Sequence, residues 1–430
     1  MNSLLILLLL ILSIQSKLYS TLLQEKEQKD KDKDKLKDKE NEFQIEMIDL
    51  FDHSTLVKDT HKSYFNLSLK AENLVKEMGM GYDLSNTLDA HVSKPEQYNQ
   101  GLSSETCWGN PYTTEEMIDS YLSKGFKSLR IPVTWHNHII DNHYTIDPKW
   151  MKRVKTVVDW AYSKGLYVIL NTHHDDAKYS KENITHQTGY YLSKKDRVES
   201  EKFIYNIWRQ ITFAFNNGYG ERLIFESLNE PRLVGLTQEW WCPQDDKVCI
   251  EANEVLEEYN QLALKTVRLS GGNNLVRFMM FPTMGASYDN LAKFNFKLPV
   301  DNEFNINNDR ILLSLHMYLP YNFALNENKT FNIFTEEYQN ELLSDFKYLY
   351  DNLILKGIHV VIGEMGVTDK DNMPERLKYA KFYVQNARKH HLCSILWVVN
   401  YDRKNLTWES DELIDTYIKA AETPFSDKPY

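Results

Sequence analysis

Apolar residues in this chain come in short unbroken runs rather than in alternation with polar ones. Such runs recur at Gly79 to Asn86, Ser128 to Trp135, Tyr167 to His174, Leu223 to Pro231, Leu275 to Met284, Ile311 to Tyr318, His359 to Gly366 and Ser394 to Asn400. A run that is apolar on both faces predicts a strand covered on both sides, as in a parallel sheet. The intervening segments have a helical period instead. In Asp147 to Gly165, for example, Trp150, Val154, Val157, Val158 and Ala161 share one face. Gly125, Gly165, Gly271 and Gly357 stand where such helices are expected to stop. Eight strand-helix units over roughly 340 residues predict a single α/β domain, a (β/α)8 TIM barrel, which typically needs about 250 residues or more. A doubly wound parallel sheet is the competing arrangement. The fifth unit is the weakest, with only Ala286 to Phe294 available for its helix.

Polar residues break this pattern where the runs end, and in a (β/α)8 barrel those ends form the catalytic mouth. They carry Asn86, Arg130, His173, His174, Asn229, Glu230, His316, Tyr318, Glu364 and Trp397. Two carboxylates closing separate runs, Glu230 and Glu364, suggest paired acid and base chemistry. A metal cluster in His173 to Asp176 is an alternative use of the third run. Neighbouring residues on a strand point to opposite faces, however, so His173 and His174 are expected not to share an ion. Neither a metal nor a cofactor is expected.

Seven stretches in order, GMGYDLSNTLDA (Gly79 to Ala90), ETCWGNPYTTEEMI with GFKSLRIPVTW (Glu105 to Trp135), YVILNTHHD (Tyr167 to Asp175), FESLNEPR (Phe225 to Arg232), SLHMYLP (Ser314 to Pro320), VVIGEMG (Val360 to Gly366) and the strand around Trp397, carry a resemblance through nearly the whole barrel. Together they resemble glycoside hydrolase family 5, retaining β-glycanases, and within it the endoglucanases and xyloglucanases of subfamily 4. The resemblance implies that Glu230 is the acid/base and Glu364 the nucleophile. It implies that Arg130 keeps Glu364 charged, that Tyr318 donates to the same carboxylate, and that His316 sits nearer Glu230. Asn229 is expected to hold the sugar 2-hydroxyl, His173 to orient Asn229 or the substrate, and Trp397 to form a flat platform under the sugar. Asn86, Asp89, His174 and Trp240 complete the expected substrate contacts; Trp241 and Trp108 either stack on sugar or cap the barrel. The implied activity is a secreted endo-β-1,4-glucanase working by double displacement on cellulose or a related β-glucan. Xyloglucan, mannan, xylan or mixed-linkage glucan are alternative substrates, and a catalytically silent polysaccharide-binding protein is the alternative class. The chain departs from the subfamily at WVVNYDR after Trp397, and at Tyr82, Asp83 and Ser85, where Trp, Asn and Gly are usual. These changes spare both glutamates and alter the walls around them.

Outside the barrel, Leu4 to Ile14 is apolar but too short to span a bilayer, and residues 1–20 read as a signal peptide. Residues 21–65 hold a run of mixed charge, Gln24 to Glu42, expected to be a disordered linker, which leaves 66–425 for the catalytic domain. Sequons at Asn66, Asn183, Asn328 and Asn405 agree with a secretory route. Of four cysteines, Cys242 and Cys249 bracket a polar loop and are the expected disulfide; Cys107 and Cys393 pair only if the first and last loops meet. A formal charge of -11, with no basic stripe, disfavours nucleic acid as a partner and suits a neutral polysaccharide. A monomer free of the membrane is expected.

Overall fold

Strands that are apolar on both faces are satisfied only if they close on one another and helices cover the outside. The computed structural model, which describes residues 51, 53–94, 97–179, 184–185, 187–304, 308–397 and 401–429, has that arrangement. Eight parallel strands close in chain order: β1 (Met80–Asp83), β2 (Ser128–Ile131), β3 (Tyr167–Asn171), β4 (Leu223–Glu226), β5 (Met279–Ser287), β6 (Ile311–His316), β7 (His359–Met365) and β8 (Cys393–Leu396). The helices are α1 (Ala71–Glu77), which leads into β1, then α2 (Glu115–Lys124), α3 (Pro148–Ser163), α4 (Arg197–Ala214), α5 (Lys247–Leu269), α6 (Tyr288–Lys293), α7 (Tyr321–Ala324), α8 (Glu336–Asn352), α9 (Met373–Lys389) and α10 (Asp411–Ala420). A short antiparallel hairpin, β9 (Tyr401–Asp402) and β10 (Thr407–Trp408), follows β8. The fifth unit has the brief helix its sequence allowed, six residues in α6. Gly125, Gly165, Gly271 and Gly357 all adopt the positive φ that favours glycine.

Side-chain alternation divides the strands between two cores. Leu129, Ile131, Val168, Leu170, Phe225, Leu313, Leu315 and Val360 pack outward into the large helix-covered core. Ile169, Ile224, Met280, Leu312, Val361 and Ile395 form a second cluster, joined by Phe65 and Leu69 before α1, Leu74 and Val75 within it and Met78 at its end. Burying each such aliphatic side chain stabilises the fold by roughly 1.5–3 kcal/mol. Gly81 belongs here for want of space, since a Cβ would sit 2.3 Å from Ile395 Cδ1 and 2.6 Å from Ser128 Oγ.

Most strands stop short of the apolar runs that predict them. Pairing ends as neighbouring chains leave the ring, the last β3–β4 pair being Asn171 with Glu226. Arg130, His316 and Glu364 are therefore on strands, while His173, His174, Asn229, Glu230, Tyr318 and Trp397 lie in the loops beyond. The expected apolar leader, the charge run, Asn183, and Val398 to Asn400 of the last run lie outside the described residues. Cys242 and Cys249 are bonded, with Cα atoms 5.7 Å apart, and Cys107 and Cys393 are free. Asn328 and Asn405 are exposed and Asn66 is half-buried. Among the described residues, no helix is long and apolar enough to cross a membrane.

Candidate active site

Above the apolar layer the inward positions become polar, and Arg130 organises them. Its side chain is fully buried. Nε donates to Glu226 Oε2 at 2.9 Å, Nη1 to Asp83 Oδ1 at 3.1 Å and to Glu364 Oε1 at 2.9 Å, and Nη2 to Asn229 Oδ1 at 2.6 Å. Strand register makes this possible, with Asp83 opposite Arg130 and Asn171 opposite Glu226. Asn171 Nδ2 and Ser314 Oγ also donate to Glu226, at 2.9 and 2.6 Å. Burial opposes the Arg130 charge, but the attraction of Glu226, Asp83 and Glu364 outweighs it and raises the Arg130 pKa.

Between β6 and β7 the register shifts, so that Leu315 faces Ile362 but His316 faces Glu364. The extra residue is Gly363, and a Cβ there would lie 3.3 Å from His316 Nε2. This irregularity turns Glu364 toward the ring axis, a use of β-bulges next to active sites. Tyr318 donates to Glu364 Oε2 at 2.8 Å. His316 Nδ1 lies 2.8 Å from Glu230 Oε1 and 3.5 Å from Glu364 Oε2. One carboxylate oxygen of Glu230 and one of Glu364 lie within 4.8 Å of each other. The electrostatics of the site run opposite to the order expected for an acid and a nucleophile. Burial pushes both carboxyls up, but the hydrogen bond from His316 and its charge, with Arg232 and Arg130, bring Glu230 below its ordinary value. Glu364 stays raised by burial and by the charge of Glu230, against the pulls of His316, Arg130 and Tyr318. His316 itself is raised, since Glu364 and Glu230 outweigh its burial. The short His316–Glu230 contact thus lowers the carboxyl and raises the imidazole together.

Residues 92–403 match the family model described as cellulase (glycosyl hydrolase family 5). The chain belongs to glycosyl hydrolase family 5. Endoglucanase B of Ruminococcus albus is 37% identical over 384 residues, covering 85% of this chain and 85% of the relative. Endoglucanase B of Clostridium cellulovorans is 34% identical over 370 residues, 82% of this chain and 76% of its own length. Among solved structures, a family 5 lichenase from a Caldicellulosiruptor species, a mutant in complex with cellotetraose, superposes with TM-score 0.75 at 35% identity, covering 84% of this chain and 98% of that one. A subfamily 4 broad-specificity endoglucanase from Ruminococcus champanellensis with bound cellotriose gives 0.73 at 33% identity, covering 83% and 100%.

The outer parts of the hydrolase's cleft differ in places from expectation. Asn229 is oriented by Arg130; His173 instead contacts Asn171, Nδ1 to Nδ2 at 3.2 Å, and lies parallel to Trp397 with centroids 5.7 Å apart. His173 and His174 do not face opposite ways: β3 has ended at Asn171, strand alternation no longer applies, and their rings are 4.4 Å apart. Candidate donor atoms of Asp89, His173 and His174 lie within 4.8 Å of one another, so the opposite-face argument does not separate them. Asp89, expected at the sugar, is fully buried and accepts the backbone N–H groups of Asn86 and Thr87, which makes it an anchor for the β1 loop. Asn86 adopts φ 57°, with its carbonyl accepting from Asn110, and lines a cavity of about 370 Å³ with Arg403 and Trp408. Trp108 is partly exposed and contacts His91 and His174. Trp240 and Trp241 are largely exposed, capped by Arg232 at 4.6 Å and Lys293 at 3.9 Å from the ring centroids.

Asp83, noted in the sequence only as a departure in the cleft wall, belongs to this constellation, as do Asn171, Glu226, Arg232 and Ser314, which the sequence did not single out. The available signal was an acid inside an apolar run, Asp83 in MGYD and Glu226 in LIFE, since an unpaired charge is not buried without reason.

Proposed function

We propose that the protein is a secreted, monomeric, retaining endo-β-1,4-glucanase in which Glu230 is the acid/base and Glu364 the nucleophile. The observation that carries this reading is the closeness of the two carboxyls, since retaining enzymes place them about 5–5.5 Å apart and inverting ones about 6.5–9.5 Å. In the first step Glu230 protonates the glycosidic oxygen while Glu364 attacks the anomeric carbon, the C–O bond to the leaving chain breaks, and a glycosyl ester forms. In the second, Glu230 removes a proton from water, the water oxygen attacks the same carbon, and the ester bond to Glu364 breaks. His316 supplies the proton that readies Glu230, passing it along the Nδ1–Oε1 contact. Arg130 and Tyr318 support Glu364 as its charge returns, and Asn229, aimed by Arg130, receives the 2-hydroxyl of the sugar. His173, His174, Trp397 and Asn86 line the path of the chain, with Trp240 on its rim.

Mixed-linkage glucan is the second substrate reading, favoured by the likeness to a lichenase. Reducing-end release from carboxymethyl cellulose, xyloglucan, mixed-linkage glucan and mannan ranks the substrates. Glu364→Gln is expected to lose turnover on all of them while still retarding in glucan-containing affinity gels. Turnover surviving at the wild-type rate in that variant overturns the assignment, and binding without turnover in the wild type returns the silent binding protein.

A further inference from the structure

Three carboxyl groups share the one buried guanidinium of Arg130. Asp83 at the end of β1 has no exposed surface, and its Oδ1 accepts from the same Nη1 that donates to Glu364. With Glu230, four carboxylates face Arg130 and His316, so negative charge is in excess in a desolvated site, and one of the three around Arg130 is expected to keep a proton. The hydrogen bonds indicate which. Glu226 accepts from Arg130, Asn171 and Ser314. Glu364 accepts from Arg130 and Tyr318, with His316 close by. Asp83 accepts from Arg130 alone, at the longest of the three distances, and its Oδ2 is buried with no hydrogen-bond partner among the described residues. An oxygen with no donor is the least favourable place for a buried charge.

We infer that Asp83 is a positioning residue that carries a proton in the working enzyme and, on losing it, draws Arg130 away from Glu364. The inference rests on the reading of Glu230 and Glu364 as the catalytic pair. While neutral, Asp83 pulls only weakly on Arg130; once ionised, it draws the guanidinium toward β1 and adds a negative charge beside Glu364. Burial, opposed by Arg130 and reinforced by the charges of Glu364 and Glu226, sets the Asp83 carboxyl well above the ordinary carboxylate range. The groups that act on it come from several elements: Arg130 on β2, Glu226 on β4, Glu364 on β7, and the Tyr82 and Tyr318 phenols. On the other side, β8 pairs with β1 through Ser394, Ile395 and Leu396 and brings no charge there.

Asp83→Asn keeps the shape and removes the proton that can be lost. The basic limb of the kcat/KM profile is expected to move to higher pH by about one to three units, the size of a neighbouring-charge effect, with the acid limb left in place. Profiles that coincide, or a shift confined to the acid limb, overturn the inference, the latter because it means that Asp83 is ionised throughout. Thermal stability gives a readout independent of turnover. A carboxyl raised in the folded state binds more protons there than in the unfolded chain, so its contribution to stability falls as pH rises. The Tm advantage of the variant should therefore grow between pH 5 and pH 8, and a constant difference counts against the inference. Asp83→Ser, equally unable to ionise, takes its place should the asparagine variant not fold. Glu364→Gln separates the two readings: if it stays active the catalytic assignment fails, whereas an inactive Glu364→Gln with unmoved Asp83→Asn limbs sinks only the role of Asp83.

Discussion

Arg130 makes four hydrogen bonds to side chains on three segments of the ring, and its removal would strand Asp83, Glu226 and Glu364 together. Breaking a buried charge pair by deleting one partner costs about 3–5 kcal/mol, so Arg130→Ala is expected to lose about that much in urea unfolding as well as all turnover. Arg130→Lys keeps the charge but lacks the planar fork, and it should fold better than the alanine variant while turning over poorly. An alanine variant as stable as wild type would show that the carboxyls simply take up protons in place of the cation.

At the level of elements, the site depends on irregularities as much as on regular strands. The extra residue at Gly363 puts Glu364 opposite His316, and the early end of β3 brings His173 and His174 to the same side. Helices carry pH sensitivity of their own. On α8, burial and the nearby Glu341 lift Asp345 from 3.8 to about 7, against a hydrogen bond from Tyr288 on α6. In the folded protein Asp345 holds its proton over a range in which the unfolded chain has lost it, so stability falls as pH rises from about 4 to about 7. Asp345→Asn should raise the Tm more at pH 8 than at pH 5, measured by calorimetry; an equal effect at both pH values would show that the helix contact alone matters.

Across the whole molecule, ring closure decides the stereochemistry. Glu230 follows β4 and Glu364 lies on β7, three strands away around the barrel, yet their oxygens come within 4.8 Å across its mouth. That spacing admits an attacking carboxylate and leaves too little room for a water held between two carboxyls. Proton NMR of fresh hydrolysis products should therefore show the β-anomer first, followed by mutarotation. Initial appearance of the α-anomer would mean inversion.

The apolar runs, their lengths and the glycines that stop the helices were enough to specify eight strand-helix units, because each depends on local periodicity and backbone freedom. The order of the motifs identified Glu230, Glu364, Arg130, His316 and Tyr318, and the structure brings all five together. Asp83 and Glu226 were not legible as site residues, since only closure of the ring places two further acids on one guanidinium. The anchoring role of Asp89 was not legible for a related reason: its partners are backbone N–H groups, which carry no mark in the sequence. The protonation order of the two glutamates likewise depends on which of them His316 approaches more closely, a difference between 2.8 and 3.5 Å. Local sequence determined which segments form strands and which chemical groups they carry to the mouth of the barrel. Tertiary structure alone decided which of those groups share a cation, a proton or a donor, because charges interact through distances that only packing sets.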